Sequence, residues 1–171
     1  MTGIMSAVVG TGQNIIYTPG LIRQQYSGYA GTNTAFFDST SPFDTIVNAA
    51  PISISYSGSS NYSVLWVGYY RPSSTGSTTF NVSPVYDDAQ NYNYFWIGNQ
   101  ARRGYNSGNA QIVGSGTATV SLLAGHYYPI RLQLGYDGNS GFFQSPDLSF
   151  TFLINSSTSY SVFYNSLTTG F

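Results

Sequence analysis

Hydrophobic and polar residues alternate with a period of two in a series of short runs. Ile52 and Ile54 alternate with Ser53 and Ser55, and Phe80 and Val82 alternate with Thr79, Asn81 and Ser83. Ala118, Val120 and Leu122 alternate with Thr117, Thr119 and Ser121. Ile130, Leu132 and Leu134 flank Arg131 and Gln133, and Leu148, Phe150, Phe152 and Ile154 flank Ser149, Thr151 and Leu153. This period predicts antiparallel strands with one buried and one solvated face, so the polar members are expected to face water. Further strands are expected near Leu21–Tyr26, Thr34–Phe37, Ser63–Tyr70, Tyr92–Ile97 and Tyr160–Tyr164. Turn residues separate the runs, as in Arg71-Pro72-Ser73-Ser74-Thr75-Gly76 and Asp137-Gly138-Asn139-Ser140-Gly141. The sum is an all-β chain, a two-sheet antiparallel β-sandwich of about ten strands. Its longest stretch without alternation, Asn99 to Gly116, reads as a functional or mobile loop.

Composition strengthens the reading. Only 6% of the 171 residues are charged, against about 25% in ordinary soluble domains. The chain has neither Lys nor Glu, which leaves little material for exposed helix surfaces. Tyr (16) and Phe (11) stand in their place, residues that fit a pleated, half-buried surface. One domain suits this length. Residues 1–18 are expected to form an N-terminal arm and residues 19–171 the sandwich domain.

Charge and residue types then exclude function classes. A net charge of −1, with Arg102-Arg103 as the only adjacent cations, argues against nucleic acid. No apolar run approaches the ~18 residues of a spanning helix, so no membrane insertion is expected. The first ten residues lack a basic region and a sustained apolar stretch, so no classical signal peptide is visible. With no Cys and a single His, thiolate chemistry and zinc catalysis are absent, and no Asp pair is marked as acid and base. The chain is therefore expected not to be an enzyme. His126, at the head of an alternating strand, reads most simply as a solvent-facing residue. Three acceptor patterns for N-glycosylation, starting at Asn61, Asn81 and Asn155, carry little weight in a chain so rich in Asn, Ser and Thr.

Asp87-Asp88 is the sharpest candidate. Adjacent carboxylates repel unless solvent or a cation offsets them, and hard cations such as Ca²⁺ take carboxylate oxygens. Neighbouring side chains of a regular strand point to opposite faces, so one ion needs a distorted backbone between them. A solvated turn is the competing reading.

Around this pair the chain resembles GLEYA and flocculin-type adhesin domains, of the lectin-like sandwich group named after the anthrax protective antigen. The resemblance is carried by Trp66-Val67-Gly68-Tyr69-Tyr70-Arg71-Pro72, Gly76 and Thr79-Phe80-Asn81-Val82. It continues through Asp87-Asp88-Ala89, Tyr94-Phe95-Trp96-Ile97-Gly98, Ala101, and Leu123 to Arg131 with its Tyr-Tyr-Pro-Ile-Arg ending. Pro19-Gly20-Leu21, Tyr26 and Phe36-Phe37 fit the family's opening less specifically. It implies that Asp87 and Asp88, joined by a cis peptide, hold a Ca²⁺ that contacts sugar hydroxyls, with sugars stacking on Tyr92 or Trp96. Asp137, Asn139 and Asn155 are candidates for a second calcium-contacting loop. The chain departs from the family in the longer stretch Asn91-Tyr92-Asn93 and in lacking disulfides, and no secretory signal is visible in it.

Two functions follow. One is a surface module, structural or adhesive, that recognises glycans with calcium as cofactor and lies at an extracellular surface. The other is a purely structural subunit without sugar binding, a minor capsid protein in a virion or a filament subunit, whose partners are neighbouring subunits of a larger assembly. The nearly uncharged surface and the absence of a visible signal peptide favour the second.

Overall fold

Alternating runs become strands wherever a β-branched or aromatic face can be buried. The computed structural model describes residues 17–49, 52–57, 60–84, 92–138, 147–156 and 163–165. Among them are twelve strands: β1 (Thr18–Pro19), β2 (Leu21–Ser27), β3 (Asp44–Ala49), β4 (Ser53–Ser57), β5 (Tyr62–Tyr70), β6 (Gly76–Pro84), β7 (Tyr92–Ile97), β8 (Ile112–Val113), β9 (Gly116–Leu122), β10 (Tyr128–Tyr136), β11 (Asp147–Ile154) and β12 (Phe163–Asn165). The surplus over ten comes from two- and three-residue strands that add only a few ladder bonds. Among the described residues, no helix is long and apolar enough to cross a membrane.

The larger sheet holds eight strands, in the order β1-β12-β5-β10-β7-β8, with β2 on β5 and β3 beyond it. The smaller sheet runs β4-β11-β6-β9. All pairs are antiparallel. Between the sheets lies one apolar core, with Trp66, Phe95, Leu132 and Leu134 from the larger sheet against Phe80, Val82 and Phe152 from the smaller. Burying each such side chain stabilises the fold by about 1.5–3 kcal/mol. This is the antiparallel two-sheet sandwich that the alternation predicts.

β5 carries the larger sheet and changes neighbours along one edge. β2 pairs with it from Tyr62 to Val67, and β12 takes over at Tyr69 and Tyr70. Gly68 sits at the handover, where a Cβ would lie 2.5 Å from Leu21 Cδ2 and 2.5 Å from the Tyr164 carbonyl oxygen. Only glycine lets both neighbouring strands close on β5.

Two expectations are corrected. Thr34–Phe37 is not a strand. The Asn33 side chain accepts a hydrogen bond from the Ala35 N–H (3.1 Å), and this turn leads into one helical turn, α1 (Phe36–Ser39), that buries Phe37. The polar residues of β10 do not face water either: Arg131 is 4% and Gln133 2% exposed. The segments before β3 and after β7 cover that face. Phe37 packs with Tyr26, Leu65 and Val67, while Trp96 packs with Tyr94 and Ala101. Residues 1–16, most of the expected arm, lie outside the described residues, and β1 already pairs with β12 at Thr18.

Candidate functional site

Strand directions bring several connections to one end of the sandwich. β6 ends at Pro84 and β7 begins at Tyr92, so the segment between them leaves from this end. β10 ends beside it, with Gly135 opposite Tyr92 and Tyr136 opposite Tyr62. β11 enters from the same end, with Asp147 opposite Ser57. Asp87, Asp88 and Asn139 lie outside the described residues. Asp137 follows directly on β10 at this end. Asn155 does not. Eight strand residues carry the chain to the far end of β11, roughly 25 Å away at about 3.3 Å per residue. There Asn155 clasps β6, with its Oδ1 accepting from Thr79 N–H at 2.8 Å and its own N–H reaching the Thr79 carbonyl at 2.8 Å.

The described rim of this end is aromatic. Tyr92 is half-buried at the start of β7, its ring centroid 6.5 Å from that of Tyr29. Tyr29 follows β2 in a turn pinned to β5: Ser63 Oγ donates to the Gly28 carbonyl at 2.8 Å and accepts from Ala30 N–H at 2.9 Å. The turn lies close on β10 because Gly135 has no side chain, and a Cβ there would sit 3.0 Å from the Gly31 nitrogen. Phe43, 61% exposed, stands 6.3 Å from the Tyr62 ring. Sequence reasoning missed Tyr29, although the glycines flanking Tyr29-Ala30 signal a tight turn that displays a side chain.

Trp96 has a different part from the one expected of it. It is 0% exposed, and its indole N–H donates to the Asn106 carbonyl (3.1 Å) and Asn109 Oδ1 (2.9 Å). Its ring stacks on Tyr94 at 5.6 Å, and burial raises the Tyr94 pKa. With no face open to solvent, Trp96 anchors the segment after β7 from beneath.

The donor chemistry near the loop end is oxygen. Among the described residues no group of three or more His, Cys, Asp or Glu gathers to hold a metal. Asn93, however, is 1% exposed one residue inside the end of β7, and neither of its side-chain polar atoms finds a partner. Buried amides are normally satisfied, so an orphan here marks a place for a water or an ion. Asp87, Asp88 and Asp137 with amide oxygens fit the hard-oxygen preference of calcium.

The opposite end is also rich in tyrosine but differently arranged. Tyr17 stacks on Tyr127 (3.8 Å, 5°) and meets Tyr69 edge-on at 5.0 Å, and the Arg71 guanidinium lies 5.6 Å from the Tyr127 centroid. These rings are spent on one another and hold the chain where it enters β1. His126 is exposed beside them, with Nδ1 3.2 Å from the Ala124 carbonyl.

A family profile described as the GLEYA domain matches residues 62–160. No curated protein matches the chain. Among solved structures, the chain is similar to the epithelial adhesin 6 A domain of Candida glabrata in complex with Galβ1-3GlcNAc, at 20% identity, 96% of this chain, 93% of that chain and a TM-score of 0.69. It is similar to the epithelial adhesin 9 A domain of Candida glabrata in complex with Galβ1-4GlcNAc, at 17% identity, 99% of each chain and a TM-score of 0.66. The PA14 domain of the MpAFP antifreeze protein matches at 18% identity, 92% of each chain and a TM-score of 0.51. At these identities the likeness establishes the fold.

Proposed function

The chain belongs to the GLEYA domain family, and from that premise we propose that it is a non-catalytic adhesive module that binds glycans at an extracellular surface. The observation that carries this reading is convergence. The connection holding Asp87 and Asp88 and the one following Tyr136 leave the same end of the sandwich, with Tyr29 and Tyr92 beside them. The two adhesin A domains of like fold were in complex with galactose-containing disaccharides, so that ligand class is the one proposed. The likeness to a PA14 domain supports the wider lectin-like grouping.

Asp87 and Asp88 would hold calcium, which when bound supplies a hard cationic contact for sugar hydroxyls. Asp137 and the Asn93 amide stand as further oxygen donors on the same side. Tyr92 and Tyr29 offer aromatic surface to the apolar face of a sugar ring, and each carries a phenolic hydroxyl able to hydrogen-bond. A neutral surface suits neutral glycans because no charge competes for their hydroxyls.

Calorimetry with Galβ1-3GlcNAc tests this reading. Saturable binding is expected in calcium, with loss in chelator and at least ~10-fold weakening in Asp87→Asn at unchanged melting temperature. Equal binding with and without calcium would remove the metal from the reading, and no binding at all would remove the glycan.

Self-assembly has one observation in its favour. Among the described residues β3 pairs only with β2, and Ile46 (38%) and Val47 (41%) on it are exposed beside Phe43. Such an edge is a template for another strand. A concentration-independent monomer by light scattering would count against it. No finding favours a virion.

A further inference from the structure

On the outer face of the larger sheet lies a cavity of about 210 Å³. An apolar cavity of about 150 Å³ takes a benzene ring, so this one has room for a single substituted six-membered ring. Its apolar wall is Phe37, Leu65 and Val67. Its polar wall holds Gln24, whose Oε1 accepts from Tyr26 Oη at 2.9 Å and leaves the amide nitrogen as a donor.

The unusual member is Arg131. Its residue is 4% exposed, yet Nε and Nη2 make no hydrogen bond. These two nitrogens form the side of the guanidinium that grips a carboxylate through two parallel bonds. Asp38 does not fill the fork, because its Oδ1 is 3.7 Å from Nη2, beyond hydrogen-bond reach, and that oxygen accepts from the Tyr105 hydroxyl. The Tyr105 ring covers the guanidinium at 3.8 Å. Arg102 adds a second positive charge to the lining.

We propose that this cavity is a second ligand site, which takes one carboxylate-bearing sugar ring of the uronic acid class. The carboxylate occupies the Nε–Nη2 side of Arg131, the ring lies on Leu65 and Val67, and Gln24 donates to a hydroxyl. Entry draws back the clasp formed by Tyr105 and Asp38, which sits on the surface with Asp38 56% exposed. The site is independent of Asp87 and Asp88.

The test titrates the full chain with sodium D-glucuronate by calorimetry, with D-glucose and sodium acetate in parallel. Glucuronate is expected to saturate, at a Kd on the order of 1 mM, while glucose shows no binding and acetate binds at least several-fold more weakly. Asp38→Asn removes the competing carboxylate and leaves only a weaker neutral bond in the clasp, and is expected to tighten glucuronate several-fold. Arg131→Gln is expected to abolish it, with near-ultraviolet circular dichroism to check the fold. Chelator is expected to leave binding unchanged. Glucose binding equal to glucuronate, acetate equal to glucuronate, weaker or unchanged binding in Asp38→Asn, or loss in chelator would each overturn the proposal. Because Asp38 is exposed, its variant keeps the test decisive even where Arg131→Gln fails to fold.

Discussion

The outer faces of the two sheets are built by the same alternation and end in opposite environments. On the smaller sheet, Thr117 and Thr119 of β9 point to water while Ala118 and Val120 face the core, and the Thr79 and Thr119 hydroxyls meet at 2.9 Å across β6 and β9. On the larger sheet, six outward residues of β5, β7 and β10 are buried: Leu65 4%, Val67 3%, Tyr94 3%, Trp96 0%, Arg131 4% and Gln133 2%. The difference lies in the connections. Residues 28–43 and 98–111 fold over the larger sheet. Alternation thus reports which side chains share a face. Whether that face is wet depends on segments elsewhere in the chain.

The contrast can be broken from the covered side first. Trp96→Ala removes a large buried ring and two hydrogen bonds that hold the segment after β7, so a loss of about 3–5 kcal/mol is expected in urea unfolding. Gln133→Leu keeps the volume but strands the Thr34 carbonyl, which accepts from Gln133 Nε2 at 3.1 Å. The expected cost is about 1–2 kcal/mol, largely as loosening of residues 28–43 seen by hydrogen exchange.

Tyr105 sharpens the comparison through pH. Burial, and next its hydrogen bond to Asp38, push its pKa up to about 12, which favours the neutral phenol in the folded state. Its contribution is therefore complete below pH 10, the ordinary tyrosine value, and is lost as pH rises from 10 through about 12. Burial also raises Tyr26 and Tyr94 on the same face. Melting temperature is expected to fall steeply in that window, and Tyr105→Phe is expected to flatten part of the fall. The smallest effect belongs to the wet face. Thr119→Ala removes one exposed cross-strand pair and is expected to cost no more than about 0.5 kcal/mol. A cost as large as that of Gln133→Leu would erase the distinction between the faces.

Much of the candidate site was legible as a pattern of residues. The adjacent carboxylates, the strand that follows them and the aromatic Tyr92 all stood out along the chain. Tyr29 did not, since nothing local ties it to Tyr92; the contact exists because Gly135 lets the turn after β2 rest on β10. Nor did the exclusion of Asn155, which depends on the length and direction of β11. Trp96 looked like a sugar platform because the resemblance implies stacking aromatics near the acid pair, and only the folded-over segment with Asn106 and Asn109 shows that its indole is spent.

What the sequence determined by itself is the all-β class and the inner face of the sandwich. Period-two alternation is a local property, and the apolar members of β6, β10 and the end of β11 have no better place than between the sheets. The tertiary structure alone decided what covers the other face of the larger sheet. Arg131 and Gln133 look like ordinary solvated strand residues until a segment 99 positions away supplies the Thr34 carbonyl and another supplies the Tyr105 ring. A polar side chain can be buried only when partners or a ligand satisfy it, and partners so distant in sequence leave no trace in the local pattern.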